Sequence, residues 1–412
     1  MEQRETTGAR DDGMAGMTTE FEPDVVELLV AAARRGVRSE PAVVGTDTLL
    51  GELVMGDSEA GEAIAPGMRK AGSLSGLIRA HAGRGWVSED EAPGEERGAE
   101  ADEGEVDAAW REAWWRFGQG VRGAAREEVP VLPPAMTGAM RGCLLRALAA
   151  ARAEGTVTVR CRHVARALLD LPGSRAREAL VLERLDLGAA AAGLDRLDAG
   201  GAAGTEGESE SRGVALLRQA GTLGRSGNRL TRALMSWTSG SAANGSPVLG
   251  ALKVEAVRQA ARGGRGVAEP VDLLLGILAL DRALAVAGRA LPESLAGANA
   301  AADVLRRHGV RQESVVVAAS AAVSATAGVS HRPDDGVLTS PAADRVVAVA
   351  RLSAAEHGSP TVGTVHLLAA LLDETRAAAG AEGDVVRLLR DLGVELTALR
   401  AVLDLRGGAG QG

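Results

Sequence analysis

The chain has 412 residues, of which 46% are hydrophobic and 25% charged, with a net charge of −9. It is globular rather than disordered, and long enough for two or three domains. Only 2% of residues are aromatic and tyrosine is absent, so a core must be built from Ala, Leu and Val, an alphabet that favours closely packed helices.

Residues 1–20, beginning MEQRETTGARDDG, have no apolar leader and read as a disordered N-terminus. The first folded stretch opens at Glu22-Pro23 and continues into VVGTDTLLGELV. A polar residue followed by Pro or Gly is an N-cap with its first helical residue. Thr48 lies 26 residues beyond Glu22, and the same step links Thr137 to His163, Ser246 to Asp272, and Ser340 to His366. Apolar residues follow each of the four anchors at +1, +2, +5 and +6, which is one face of a helix. They are Leu49, Leu50, Leu53 and Val54; Val164, Ala165, Leu168 and Leu169; Leu273, Leu274, Ile277 and Leu278; and Leu367, Leu368, Leu371 and Leu372. Repetition at this period outranks any single-residue motif.

Between the first two copies, residues 89–107 hold ten acids against Arg97, while the rest of the chain balances 45 acids with 45 bases. A neutral body beside an acidic tract argues against nucleic acid, and the tract reads as a solvated linker. WREAWWRF follows, with Val106, Trp110, Trp114, Phe117 and Val121 on one stripe. The stripe is expected to pack on its own repeats, with a docking helix (Trp110, Trp114, Phe117) as the alternative. The second copy contains Cys143 and Cys161, which fit neither a disulfide framework nor a zinc site and read as buried thiols. A Gly/Ser-rich stretch then leads to the third copy, which carries an extra loop, DRALAVAGRALPESLAGAN. The basic amphipathic stretch 225–240 is too short to interpret.

The expected organisation is all-α, with two double-repeat domains. Domain one spans 21–199, with repeats 21–80 and 132–199 and an insertion at 81–131. A linker follows at 200–245, then domain two at 246–406, with repeats 246–318 and 335–406, and a tail at 407–412. No run reaches the ~18 apolar residues of a membrane span.

The fourth copy resembles the Clp N-terminal domain, the helical double repeat at the front of Clp-type AAA+ unfoldases. The resemblance rests on SPAADRVVAVARLSAAEHG, TVGTVHLLAALLDE and VVRLLRDLGVELTALRAVL. Copy one is similar through VVGTDTLLGELV, and copies two and three through spacing and apolar pattern. The motor is missing: a P-loop ends in Gly-Lys-Ser/Thr, whereas Ala71 follows Lys70 and Val254 follows Lys253. No nucleophile elbow, metal-ligand spacing or cofactor motif is present either. The resemblance implies a non-catalytic, cytoplasmic module that binds protein or peptide clients or a Clp ATPase. It needs no cofactor, metal, nucleic acid or membrane. A purely structural or oligomerising repeat protein is the alternative, with a hydrolase using an inter-repeat pocket as a remoter one.

The candidate peptide-binding residues are Glu22, Asp47, Ser340, Thr364 and His366. In relatives that read phosphoarginine, the acid of Val-Gly-Thr-Glu-His and the hydroxyl of the Thr-Pro start line the site. The corresponding pairs here are Asp47 with Glu22 and Val365 with Ser340. Val365 supplies no carboxylate, and Glu22 places a negative charge where a phosphate would rest, so phosphoarginine is expected to bind weakly or not at all. For His366 the structural role, packing or surface, is favoured, because the other anchors are Thr48, His163 and Asp272.

Overall fold

The computed structural model describes residues 17–68, 72–88, 90, 100–121, 132–201, 210–223, 246–324, 338–376 and 381–408. Among these residues it is all-α: nineteen helices, with strands of only two residues each. The chain divides into two compact units, one built on Thr19–Ser209 and the other on Glu210–Ser330 with Val337–Gly412.

In the first unit, β1 (Glu20–Phe21) enters α1 (Pro23–Gly36), and β2 (Val43–Val44) enters α2 (Thr46–Met55). Helices α3 (Glu59–Ile64), α4 (Ser73–Arg84) and α5 (Glu100–Val121) follow. The same order then recurs: β3 (Ala135–Met136), α6 (Gly138–Ala153), β4 (Thr158–Val159), α7 (Cys161–Asp170), then α8 (Arg175–Leu182) and α9 (Leu187–Gly201). Pairing is reciprocal and parallel. Phe21 lies opposite Val159 and Val44 opposite Met136, so the start of each copy is clasped by the turn of the other.

The second unit comprises α10 (Arg212–Gln219), α11 (Pro247–Arg262), β5 (Val267–Ala268), α12 (Pro270–Val286), α13 (Glu293–Ala296), a 3-10 turn at Gly297–Asn299, α14 (Ala301–Arg307) and α15 (Gln312–Ser324). It continues with β6 (Leu338–Thr339), α16 (Pro341–Glu356), α17 (Thr364–Asp373), β7 (Thr375–Arg376), β8 (Ala381–Glu382), α18 (Asp384–Asp391) and α19 (Leu396–Gly408). β5 and β6 pair in parallel, with Ala268 opposite Thr339. Each unit has its own hydrophobic cluster. The four residues that follow each anchor are all buried in those clusters, at all four places.

Three expectations change. The acidic tract is not a solvated linker throughout: from Glu100 it is helical, because Arg141 holds Glu103 at 2.8 Å and Asp107 at 2.6 Å while Arg152 pairs with Asp102. The docking alternative for the tryptophan stripe is also corrected. Val106, Trp110, Trp114 and Phe117 are buried in the first unit's own core, so these four side chains present no docking face. Trp110 Nε1 donates to the Pro134 carbonyl at 3.1 Å, and Trp114 stacks on Phe117 at 5.1 Å. Finally, α10 lies inside the stretch expected as a linker, with Val214 and Leu217 fully buried in the second unit. The stretch 225–240 and residues 1–16 lie outside the described residues. Cys143 and Cys161 are buried free thiols, and burial pushes both well above the ordinary thiol range. Among the described residues no helix is long and apolar enough to cross a membrane.

Candidate ligand-binding site

The first orphan amide of a helix needs an acceptor, and the repeated anchor residue supplies it. Gly363 N donates to His366 Nδ1 at 3.1 Å, Arg160 N to His163 Nδ1 at 2.9 Å, and Glu269 N to Asp272 Oδ2 at 2.9 Å. Three different side chains thus do one job at the third helical position, the reaching-back half of a capping box. An accepting Nδ1 must be unprotonated. Consistent with this, burial and then the neighbouring His357 hold His366 below the ordinary histidine value. In copy one no bond of this kind from Thr48 is seen among the described residues.

The glycine of Val-Gly-Thr is required by close approach rather than by φ. At Gly363 a Cβ would stand 2.0 Å from the Ala298 carbonyl oxygen, so the turn at 297–299 could not pass. The threonine after it is a staple between copies. Thr46 Oγ1 accepts from Ala176 N at 3.0 Å, and Thr364 Oγ1 from Ala301 N at 3.3 Å. Each threonine's own amide also donates to a side chain, Thr46 N to Asp90 Oδ2 at 2.9 Å and Thr364 N to Asn299 Oδ1 at 3.0 Å.

In the first unit the two candidates, Glu22 and Asp47, do not converge. Glu22 stands at the N-terminus of the 14-residue α1 without a side-chain cap bond, whereas a Cβ on Gly36 at its other end would meet Val44 Cγ2 at 2.3 Å. Glu22 and Asp47 therefore sit at opposite ends of a helix about 20 Å long. Glu22 instead accepts from Arg160 Nε at 3.2 Å. Ser340 caps α16, accepting from Ala343 N at 3.1 Å, and its amide donates to Ala268 O at 3.0 Å. Thr364 stands at the start of the following helix, beside Asn299. All five residues are less than a tenth exposed. Val365 is a core residue. Asp90 is the residue that sequence reasoning missed, because an acid among acids carries no signal that it is buried.

One open space adjoins a candidate. A cleft of about 250 Å³ in the second unit is walled by Val248, Ile277, Leu280, Leu284 and Leu291 and closed by Asn299, Ala300 and Thr364. Asp281 and Asp303 line it, and both pair with Arg306. Burial raises the Asp281 carboxyl against the pull of Arg306. Arg289 is exposed at its edge and makes no ion pair among the described residues. The space combines apolar walls, an acid pair held by Arg306 and one exposed cation. Among the described residues no group of three or more His, Cys, Asp or Glu is placed to hold a metal ion.

Residues 293–382 match the family model described as the Clp repeat (R) N-terminal domain. This stretch is similar to the Clp repeat. It runs from α13 through α17 into β8, and it contributes Ala296, Asn299, Ala300, Asp303 and Thr364 to the cleft. No curated protein matches the chain. The family match does not extend to the first unit.

Proposed function

We propose that the chain is a non-catalytic protein- or peptide-binding module of the Clp N-domain type, acting in the cytoplasm as an adaptor, decoy or regulator in substrate selection by Clp ATPases. One observation carries this reading: the segment that matches the Clp repeat also lines the cleft, with Thr364 in its wall. The candidates Ser340 and His366 hold helix starts, and Glu22 pairs with Arg160. The cleft is therefore the place where a client side chain could enter, with Thr364 the candidate that touches it.

Ala296 is exposed and lines the cleft, so Ala296→Trp fills the opening without touching the core. Peptides selected on the whole chain from a random display library should lose at least about tenfold in affinity, roughly 1.4 kcal/mol, in Ala296→Trp. The thermal midpoint should not change. Selected peptides that bind both forms equally would place binding elsewhere. A chain that selects no peptide and only self-associates would support the structural reading instead.

A further inference from the structure

The cleft of the second unit is not part of the frame that recurs along the chain. Helix α12 runs for 17 residues, where its counterparts α2 and α7 run for 10. Copy one passes from Met55 to the next helix at Glu59, and copy two from Asp170 to Arg175. Copy three instead goes from Val286 to Ala301 by way of α13 and a 3-10 turn. Its extra loop supplies Asp281, Leu284, Arg289, Leu291, Ala296 and Asn299 to the lining. Copies one and two have no segment that could build these walls.

Most polar side chains of the lining already have partners. Asp281 and Asp303 both pair with Arg306. Asn299 donates from Nδ2 to the Leu295 carbonyl at 2.8 Å and accepts the Thr364 amide on Oδ1 at 3.0 Å. Thr364 Oγ1 accepts from Ala301 N at 3.3 Å. The remaining one is Arg289, exposed at the edge and without an ion pair or side-chain hydrogen bond among the described residues. An occupant must therefore bring an apolar body for the aliphatic walls and a group for a guanidinium. A carboxylate is that group, because the planar fork of donors matches its two oxygens.

Size selects the source of the carboxylate. At about 30 Å³ for each water-sized group, a space of about 250 Å³ holds about eight non-hydrogen atoms. The side chain of an internal leucine would fill about half of it. A whole valine or leucine residue with its own α-carboxylate fills it. We propose that the cleft receives the C-terminal residue of a partner chain, with its aliphatic side chain against the walls and its α-carboxylate on Arg289. The inference rests on the reading that the cleft admits a client side chain, and it names the part of the client that enters.

The test measures the affinity of short fluorescent peptides for the whole chain at low ionic strength. The parent peptide ends in leucine with a free carboxylate. It should bind, and amidation of its C-terminus should weaken it about threefold to fivefold, the size of an exposed ion pair. Replacing the terminal leucine by serine should cost at least about tenfold. In Arg289→Gln, which changes an exposed side chain, the free acid and the amide should bind alike. Equal binding of acid and amide to the wild type, or a preference for the acid that survives Arg289→Gln, overturns the proposal. An end-blocked peptide with an internal Leu-Glu pair that binds as tightly as the parent overturns it by moving the carboxylate to a side chain. An amidated peptide with leucine at its free N-terminus that does so overturns it by making the occupant an ammonium. A parent that does not bind at millimolar concentration overturns it too. Ala296→Trp separates the two claims. If it weakens the display-selected peptides while acid and amide bind alike, the cleft reading stands and the C-terminal inference falls. If the selected peptides are unaffected, both fall.

Discussion

His366 holds a helix start through an unprotonated ring nitrogen, which links part of the stability to pH. Its folded value lies below the ordinary 6.5, by burial first and then by His357. The unfolded chain therefore takes up the proton first as pH falls. The contribution is complete above about pH 6.5 and is lost as the pH drops from there toward the folded value. His366→Ala should cost about 0.5–2 kcal/mol at neutral pH, the range of a lost helix cap. His366→Asn, whose carbonyl can accept the same bond, should keep most of that and flatten the loss below pH 6.5 in denaturant melts. Asp47 has the opposite sign. A carboxyl raised above 3.8 contributes stability that is present at low pH and lost as pH rises through its folded value. Asp47→Asn should therefore melt above the wild type at neutral pH, and the advantage should shrink as pH falls toward 3.8. A lower midpoint at neutral pH would mean that the Asp47 charge supports the fold.

Local signals read the helix starts correctly, because a cap, a proline or glycine and an apolar stripe are all short-range features. Ser340-Pro341 and Gly363-Thr364 begin helices, and the stripe at +1, +2, +5 and +6 is buried in every copy. The tryptophan stripe was legible for the same reason. What sequence could not show is which polar residues are paired across long separations. Thr46 bonds to Asp90 44 residues away and to Ala176 130 residues away, so Asp90 looked like part of a solvated run. In α5, Glu112 lies between tryptophans in the sequence, yet it is fully buried and pairs with Arg116 Nη2 at 2.6 Å. Arg116 also reaches the exposed Glu27 at 3.0 Å. Glu112→Ala removes the buried partner of the Arg116 charge and leaves it the exposed Glu27, so the loss should reach at most about 3–5 kcal/mol, that of a broken buried pair. Glu112→Leu with Arg116→Met restores apolar volume and should cost far less. Equal losses in chemical denaturation would show that packing, not the stranded charge, sets the penalty.

For the whole molecule, composition and repetition set the fold class but not the extent of each unit. A run of Gly, Ser and Glu normally marks a linker, and that composition hid α10, whose eight residues carry only Val214, Leu216 and Leu217 as large apolar groups. Two of these are fully buried against the core built by α11 and α12. Gly213 is packed so closely that a Cβ there would meet Glu255 Oε1 at 2.8 Å, and its amide donates to that oxygen at 3.3 Å. The hydrophobic clusters of the two units share no residue, so a fragment of residues 210–412 should fold alone, with a helical spectrum and a cooperative melt. A fragment of residues 246–412 exposes the surface that Val214 and Leu217 cover and leaves the buried Glu255 without the Gly213 amide. At about 1.5–3 kcal/mol for each fully buried aliphatic side chain, the shorter fragment should lose about 3–6 kcal/mol. That is a large share of the 5–15 kcal/mol typical of a domain. It should melt many degrees lower or fail to fold. Equal midpoints for the two fragments would return α10 to the linker.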